Sequence, residues 1–375
     1  MPHGRSLQRR SLMFSSENIK RNFLIRPYTY IAPSLLTMSL KLLSFFLVQV
    51  ALLILGKSYH AVAVVLCATV ASVLAELLTL IFTHQKLTSN NALLVSVLQG
   101  LIAGLLIPES CPLAAVFLVV FGVMLIAGSF FGGYAFTWIN TSIFSVVVLW
   151  IVGARIFPPY LVSMDMLALR NPSLQLIESG AVPLVPADSV ITEFLNGTVF
   201  SLFKVSVPEG YVSLFWDSHS AIPAFRYNFV NIVASVLFFS DTFFELIVPG
   251  IFLLSYGILV RFVSPFIYAG IPFQGDLLLA FLTGGTLFCA FFVIGWYGMT
   301  PITVGGKIAY AGIAGLLFFL IAGCGTSPAG MVFTVLSANV VSVLIQQAEQ
   351  YRERRKVRRQ IAALSKENEE ALQRL

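Results

Sequence analysis

The sequence predicts an all-α integral membrane protein with about ten transmembrane helices, and three observations support this prediction. Hydrophobic residues make up 58% of the 375 residues and charged residues only 11%, whereas about a quarter of a soluble domain is charged. The mean hydropathy is +0.89. Fourteen of the 23 Lys and Arg residues lie in residues 1–26 and 348–375. The interior between these ends must therefore be solvated by lipid.

The two basic ends indicate which side of the membrane the termini occupy. Lys and Arg concentrate on the cytoplasmic side of membrane proteins, so we expect residues 1–34 to form a basic cytoplasmic segment, and we place the C-terminus on the same side. The net charge of +6 then belongs to these ends. No basic stripe is interleaved with aromatic residues, so we predict no nucleic-acid partner.

Residues 35–157 are predicted to form the first membrane half. A crossing needs about 20 apolar residues, and this criterion gives five spans near 40–56, 61–83, 92–107, 112–131 and 140–157. Residues 158–228 follow, with more Pro and polar residues. Three basic and six acidic side chains give this stretch a net charge of −3, which favours an extracytoplasmic loop.

Residues 229–347 are predicted to form the second half, with five spans near 243–260, 262–275, 277–295, 308–324 and 330–347. The span at 262–275 contains Pro265 and Pro272 and is expected to be broken or half-crossing. The apolar stretch at 229–239 is too short to span, so we place it in the interface or as a re-entrant segment.

The even number of predicted spans supports this topology. Five spans from a cytoplasmic N-terminus bring the acidic loop outside, and five more return the tail to the cytoplasm. Lys86, Arg261 and Lys307 then lie inside, while Lys57 and Arg155 are exceptions to a statistical bias. Two halves of five spans run in opposite directions, which predicts two inverted five-helix repeats.

Residues 348–375 are predicted to form a basic cytoplasmic helix. Six basic residues against one acidic residue in the stretch 352–359 attract anionic membrane lipid. Apolar positions after it follow a 4-3-4-3-4 spacing, as in a short coiled coil. A solvated amphipathic helix and a partner-binding helix both fit this pattern.

Two carboxylates are candidates for an ion path. Glu76 lies well inside the second span, where a carboxylate persists only with a partner, a proton or an ion. It is either a protonated, hydrogen-bonded side chain or part of a cation path. Glu245 lies near the start of the sixth span, where the helix dipole alone also favours a carboxylate.

Two further features concern ligands. Gly132 and Gly133 end the fourth span, and paired glycines let a backbone approach a cofactor closely. The four cysteines are widely separated along the sequence, without a CxxC pair or a nearby His. A membrane iron–sulfur site needs clustered thiolates, so we predict no metal site in this chain.

Several sequence blocks occur in order from about residue 26 to residue 347. The blocks are Arg26-Pro27-Tyr28-Thr29-Tyr30, Asn90-Asn91-Ala92-Leu93-Leu94, Phe131-Gly132-Gly133 with Asn140-Thr141-Ser142, Cys289-Ala290-Phe291-Phe292, Gly305-Gly306-Lys307, Gly312-Ile313-Ala314-Gly315, and Gly330-Met331-Val332-Phe333 through Asn339. In order and spacing they resemble the RnfD-type subunits of the Rnf electron-transfer complex and their NqrB relatives in the sodium-pumping NADH:quinone reductase.

The resemblance implies a cofactor. In that family a threonine of an SGAT-like motif on the outer loop carries FMN through a phosphoester bond, and Thr192 in Ser189-Val190-Ile191-Thr192 occupies the acceptor position. We expect an exposed loop hydroxyl there. Val190 and Ile191 replace the Gly and Ala of the motif, and Trp296 stands at an acidic position of the family. Non-covalent riboflavin is a further cofactor that this resemblance allows.

The resemblance also implies a function. The chain is expected to be a membrane subunit that couples electron transfer, between ferredoxin or quinone and NAD, to Na⁺ or H⁺ translocation. Its partners would be other membrane subunits and flavin or iron–sulfur subunits in the bacterial inner membrane. A flavin-free structural paralogue in the same complex and an independent small-solute channel or transporter remain the alternatives.

Overall fold

The chain folds as a bundle of α-helices, which confirms the predicted all-α membrane fold. A computed structural model describes residues 34–82, 90–130, 139–158, 162, 166, 168–169, 173–179, 182–240, 243–268, 270–296, 298–323 and 329–373. Within these ranges the regular elements are helices and no strand occurs. The predicted basic N-terminal segment up to residue 33 and the Gly132-Gly133 pair lie outside the described residues.

Five apolar helices form the first half, at positions close to those predicted. Each begins and ends within a few residues of the expected bounds, because long apolar runs are separated by short polar turns. The helices are α1 (Leu35–Leu55), α2 (Tyr59–Phe82), α3 (Asn90–Leu106), α4 (Leu113–Phe130) and α5 (Thr141–Gly153).

The stretch expected to be a loop contains three short helices: α6 (Ser173–Glu178), α7 (Asp188–Thr198) and α8 (Tyr211–Trp216). Its described residues include buried polar groups, and Asp188 and Ser213 are both fully shielded from solvent. This segment is therefore a packed part of the fold rather than a free loop.

The second half contains the remaining helices. They are α9 (Asn228–Phe239), α10 (Ile247–Ile267, with a π-helical turn at Leu259–Val263), α11 (Leu277–Leu282), α12 (Thr286–Phe288, continued by a π-helical turn at Cys289–Val293), α13 (Val304–Phe318, continued by a π-helical turn at Phe319–Gly323) and α14 (Gly330–Gln373).

The separate spans predicted at 243–260 and 262–275 are wrong, because α10 runs through both up to Ile267. Pro265 was expected to break the helix. Instead, the π-helical turn at Leu259–Val263 precedes it, and such a turn rearranges the backbone hydrogen bonds so that a proline is tolerated. The stretch at 229–239, expected to lie in the interface or re-enter, is the helix α9 that packs against α1.

Among the residues that the structure describes, five helices are long and apolar enough to cross a membrane, namely Leu35–Leu55, Tyr59–Phe82, Ile247–Ile267, Val304–Ala322 and Gly330–Ala362. Four shorter apolar helices accompany them, at Asn91–Leu106, Leu113–Gly128, Thr141–Ile156 and Asn228–Phe239. The broken pair α11 and α12 completes the set. A count of ten crossings therefore includes the short helices and this broken pair.

Contacts between helix ends show how the two halves are directed. Cys67 lies beside Leu113 and Thr79 beside Gly128, so α2 and α4 run parallel. Glu245 lies beside Lys307, so α10 and α13 also run parallel. The first helices of the two halves, α1 and α9, contact each other, and so do the last, α5 and α14. This pairing is the one that a two-fold relation between the halves would give.

The two parallel pairs point in opposite directions. Ser58, just before α2, accepts a hydrogen bond from Arg226, so α2 begins at the end of the bundle that carries the segment 182–227; we call this the segment end. Near the end of α10, Arg261 donates to the carbonyl of Gly275, which precedes Asp276, the partner of Tyr211. Helix α10 therefore finishes where α2 starts. The expectation that Arg261 shares a side with Lys307 is wrong, because α10 separates them by its full length.

Candidate functional site

A small polar cavity lies between the first-half helices beside Glu76. Its volume is about 10 Å³, close to the space that one water molecule needs. Each of the helices α2 to α5 contributes to its wall. The polar lining residues are Ser72, Glu76, Ser96, Gln99 and Thr141. Oxygen atoms from these side chains surround a space inside an otherwise apolar bundle.

Close packing of α2 against α3 brings these groups together. A Cβ on Gly100 would lie 2.6 Å from the Cα of Thr69, and one on Gly104 would lie 2.6 Å from the Cα of Val65. Glycines spaced by four residues allow such close contact between membrane helices. Ser72 and Ser96 then exchange hydrogen bonds, because each hydroxyl donates to the other residue's carbonyl at 2.8 Å.

The start of α5 adds polar atoms that lack partners. Asn140 caps this helix, because its Oδ1 accepts from the backbone N–H groups of Ser142 and Ile143. Among the residues that the structure describes, Asn140 Nδ2, Thr141 Oγ1 and Ser142 Oγ have no hydrogen-bond partner. All three side chains are at most 6% exposed. Buried polar atoms are rarely left unpaired. The Thr141 and Ser142 hydroxyl oxygens are suited to a water or a cation, whereas the Asn140 amide N–H groups can only donate to an acceptor such as a water.

Glu245 lies in a different environment from Glu76. Its Oε1 accepts a hydrogen bond from Lys307 Nζ at 2.9 Å, and its side chain is 40% exposed. The ion pair sits at the end of the bundle opposite the segment end. The two predicted ion-path carboxylates line different cavities, and Glu245 already has a cationic partner.

Thr192 is not the exposed loop residue that the sequence predicts. It lies within α7 and is only 6% exposed, because it shares the buried face of this helix with Asp188, while the apolar residues Val190 and Phe194 are exposed. Its hydroxyl donates to Asp188 Oδ1 at 3.1 Å. The same carboxylate accepts from the backbone N–H groups of Gly210 and Ser213 and from the Ser213 hydroxyl. Asp188 thus organises the segment 182–216.

A cavity of about 480 Å³ lies beside Thr192, so its fit to a phosphoester-linked FMN can be tested. Described residues that line this cavity include no Lys, Arg or His. A phosphate on Thr192 Oγ1 would replace the proton now donated to Asp188 and place a second negative charge beside that carboxylate, which is unfavourable. The residues around Thr192 do not fit this cofactor.

Sequence reasoning missed Asp188, Asp276 and Tyr211 as organising residues. Asp276 Oδ1 accepts from the backbone N–H of Leu279 and so caps α11, while its Oδ2 accepts from the Tyr211 hydroxyl. Burial raises the pKa of Asp276, and burial together with the Asp276 charge raises the pKa of Tyr211. The order Gly275-Asp276-Leu277 before an apolar run is a helix-start signal. No grouping of potential metal ligands occurs among the described residues.

The helices and the buried polar site define a polytopic α-helical membrane protein. Its halves run in opposite directions, and a carboxylate lies between helices of the first half. The chain belongs to the NQR2, RnfD, RnfE family, whose family model matches residues 25–355. It is similar to the D-type subunit of the ion-translocating oxidoreductase complex of Shigella dysenteriae serotype 1 (strain Sd197), at 26% identity over 305 residues, 75% of this chain and 83% of that protein. The resemblance stated from the sequence blocks is confirmed.

Proposed function

We propose that this chain is a membrane subunit of an Rnf/Nqr-type complex that couples electron transfer to the movement of Na⁺ or H⁺. Membership of the family and the name of the Shigella relative support this proposal. The structural observation that supports it best is the small cavity that Glu76 lines together with Ser96 and Thr141, whose Oγ1 has no hydrogen-bond partner among the described residues. Electrons would pass between ferredoxin or quinone and NAD through flavin and iron–sulfur subunits bound to this one.

The cavity offers the chemistry that a cation path requires. Carboxylate, hydroxyl and amide oxygens are hard ligands that can replace the hydration shell of a small cation, and a carboxylate can also carry a proton. Ionisable groups in a membrane interior mark such paths. A charge change on a neighbouring redox group would alter the affinity of Glu76 for its ion. Coupling requires such a difference in ion affinity between the oxidised and the reduced state.

Glu76→Gln tests this role in the assembled complex. The substitution keeps the side-chain shape but removes the charge, so ion-coupled transport should fall while complex assembly is retained. Glu209→Gln is the matched control, because Glu209 is exposed in the segment before α8. Unchanged cation dependence of turnover in Glu76→Gln would remove Glu76 from the mechanism.

Thr141→Val is a second variant for the same path. It removes a hydroxyl that has no described hydrogen-bond partner while keeping the side-chain volume, so it leaves no protein group newly unpaired. We expect weaker ion affinity, measured as a higher cation concentration for half-maximal turnover. An unaltered cation titration in this variant would place the path elsewhere.

A flavin-free version of this subunit is favoured by the surroundings of Thr192. Flavin fluorescence of the denatured, gel-resolved protein tests this directly. We expect no flavin fluorescence in the wild-type band, because the Thr192 hydroxyl that would accept FMN donates its hydrogen bond to the Asp188 carboxylate. A fluorescent band that Thr192→Ala abolishes would instead establish covalent FMN and require α7 to rearrange around it. Riboflavin bound without a covalent link would be released on denaturation and detected in the supernatant.

The proposed location is the bacterial inner membrane, with both termini in the cytoplasm. Cysteine labelling at the exposed Ser189 in the segment 182–227 tests this orientation, since it should react only from the outside. The independent channel or transporter predicts a different result in purification, because such a protein would be isolated without redox subunits. Co-purification with flavin or iron–sulfur subunits would argue against it.

A further inference from the structure

The 480 Å³ cavity beside Thr192 has almost entirely apolar walls. Residues of the segment 182–216 form one wall, and α9, α11 and α12 form the other; examples are Leu195, Val212, Ile232 and Leu282. A volume of this size lies within the range of ordinary ligand pockets, about 300–1,000 Å³. The cavity is therefore large enough to hold a small molecule, and it is not a packing defect.

The two hydroxyl groups that reach this cavity are already paired. The Thr192 hydroxyl donates to Asp188, and the Tyr211 hydroxyl donates to Asp276. Both protons point to carboxylates, so neither is offered to a ligand. Apolar cavities without free donors or acceptors stay dry and accept apolar molecules. This chemistry favours a hydrocarbon over a flavin, a sugar or an ion.

The mouth of the cavity is also apolar and is exposed. Trp216 is 57% exposed, Phe229 42% and Ile191 41%, and the Trp216 and Phe229 rings stack at 5.9 Å. Exposed apolar residues continue from this rim along α9, at Val233 and Leu237. Since α9 belongs to the membrane bundle, the mouth opens on the surface that lipid covers rather than on water.

The adjacent face of the segment supports the same position. Val190 is 69% exposed, Phe194 65% and Leu202 79%. A concentration of exposed apolar side chains on one short amphipathic helix is typical of an element resting in the membrane interface. Helix α7 would thus lie against the lipid headgroups, with the cavity beneath it open to the acyl chains.

We propose that this cavity binds a hydrocarbon chain that enters from the membrane, either the acyl chain of a phospholipid or the isoprenoid tail of a quinone. The chain enters beside the stacked Trp216 and Phe229 rings and lies against Leu195 and Val212. The proposal is independent of the ion path at Glu76. With an acyl chain as the occupant it is also independent of the redox role of the complex, whereas with a quinone tail it rests on the proposed electron transfer with quinone.

The test uses the full-length protein in vesicles with two photoreactive probes, a phospholipid with a diazirine on its acyl chain and a quinone with a diazirine on its isoprenoid tail. Peptides from residues 191–232 should carry the label. Labelling by the phospholipid alone identifies an acyl chain, and labelling by the quinone alone identifies an isoprenoid tail. Absence of label from these peptides with both probes would overturn the proposal.

Cavity-filling variants make this test specific. Val212→Trp and Leu195→Trp both fill the cavity, and using two positions covers the case in which one variant does not fold. We expect about a ten-fold loss of label, because excluding about two methylene groups from an apolar site weakens binding by roughly that factor. Val190→Trp adds the same side chain at an exposed position of α7 and should leave the label unchanged. Equal labelling of all variants would overturn the proposal.

Discussion

Glu245 Oε1 and Lys307 Nζ lie 2.9 Å apart and join the start of α10 to the start of α13. Glu245 lies just before α10 and Lys307 lies in the first turn of α13, so both helices start at the same end of the bundle. They also pack directly against each other, so they run in the same direction. The helix pair α11 and α12, which lies between them in the sequence, returns the chain to this end. This ion pair thus indicates the direction of the helices in the second half. It also places Lys307 near the start of α10, whereas Arg261 lies near the other end of that helix.

Charge reversal at this ion pair should have a small effect on stability. Glu245 is 40% exposed and Lys307 14%, and partly exposed ion pairs contribute about 0.2–1 kcal/mol. We expect Glu245→Lys to lower the unfolding midpoint slightly and Lys307→Glu, added to it, to restore most of the loss. A double-mutant cycle in detergent micelles measures the coupling. Additive effects of the two changes would show that the pair does not stabilise the fold.

Gly100→Ala should destabilise the contact between α2 and α3. Its Cβ would lie 2.6 Å from the Cα of Thr69, so the helices must separate at a cost of about 1–3 kcal/mol. Gly122→Ala in α4 is the control, because its Cβ would meet nothing within 4 Å and alanine favours helix by about 1 kcal/mol. Unfolding in detergent should move in opposite directions for the two variants. The same direction for both would contradict the packing assignment.

Asp276→Ala should be costly, whereas Asp276→Asn should be tolerated. The alanine removes the cap of α11 and leaves the Tyr211 hydroxyl without its acceptor, at about 2 kcal/mol or more. Asparagine is also a good capping residue and retains an oxygen and an amide for these contacts. Thermal unfolding of the two variants at neutral pH provides the measurement, and equal losses would contradict the assigned roles.

The same carboxyl group predicts a pH dependence. Burial raises the pKa of Asp276 above its ordinary value of 3.8, so the folded state binds its proton more tightly than the unfolded state. The stability that this proton contributes is fully present below pH 3.8 and is lost as the pH rises through the raised pKa. Wild-type stability should therefore fall relative to Asp276→Asn across this interval. Parallel pH profiles for the two proteins would contradict it.

Glu349→Ala should loosen the junction between α14 and the turn before α13. The Glu349 carboxylate accepts from the backbone N–H groups of Ile302 and Thr303 and from the Thr303 hydroxyl. Removing it leaves these donors unpaired, at about 3 kcal/mol. Glu353→Ala is the control, since Glu353 is 57% exposed and pairs only with Lys356 among the described residues. A thermal midpoint that falls equally in both variants would contradict this role.

The all-helical membrane fold was predictable because it depends on local composition. Apolar runs separated by polar turns define the helices of the first half to within five residues at each end, and a carboxylate such as Glu76 inside a run stands out at once. The continuity of α10 was not predictable in the same way. Pro265 is a strong local signal for a break, and the π-helical turn before it depends on packing against neighbouring helices.

The candidate site was predictable only in part, for a similar reason. The resemblance identified the position of Thr192 and the Asn140-Thr141-Ser142 block, but it did not show which side chains face one another. The burial of Thr192 depends on Asp188, four residues earlier, which accepts bonds from Gly210 and Ser213. Contacts between positions that are more than twenty residues apart leave no periodic pattern in a single sequence.

Helix α14 continues without interruption from Gly330 to Gln373, over 44 residues. At 1.5 Å per residue this is a rod of about 66 Å, of which about 36 Å extends past Glu349. A tilt of about 5° at Glu349 would move Gln373 by about 3 Å. Small rotations of the buried part of α14 are therefore amplified along the tail. A protein bound to the outer end of the tail would be displaced by a distance of atomic size.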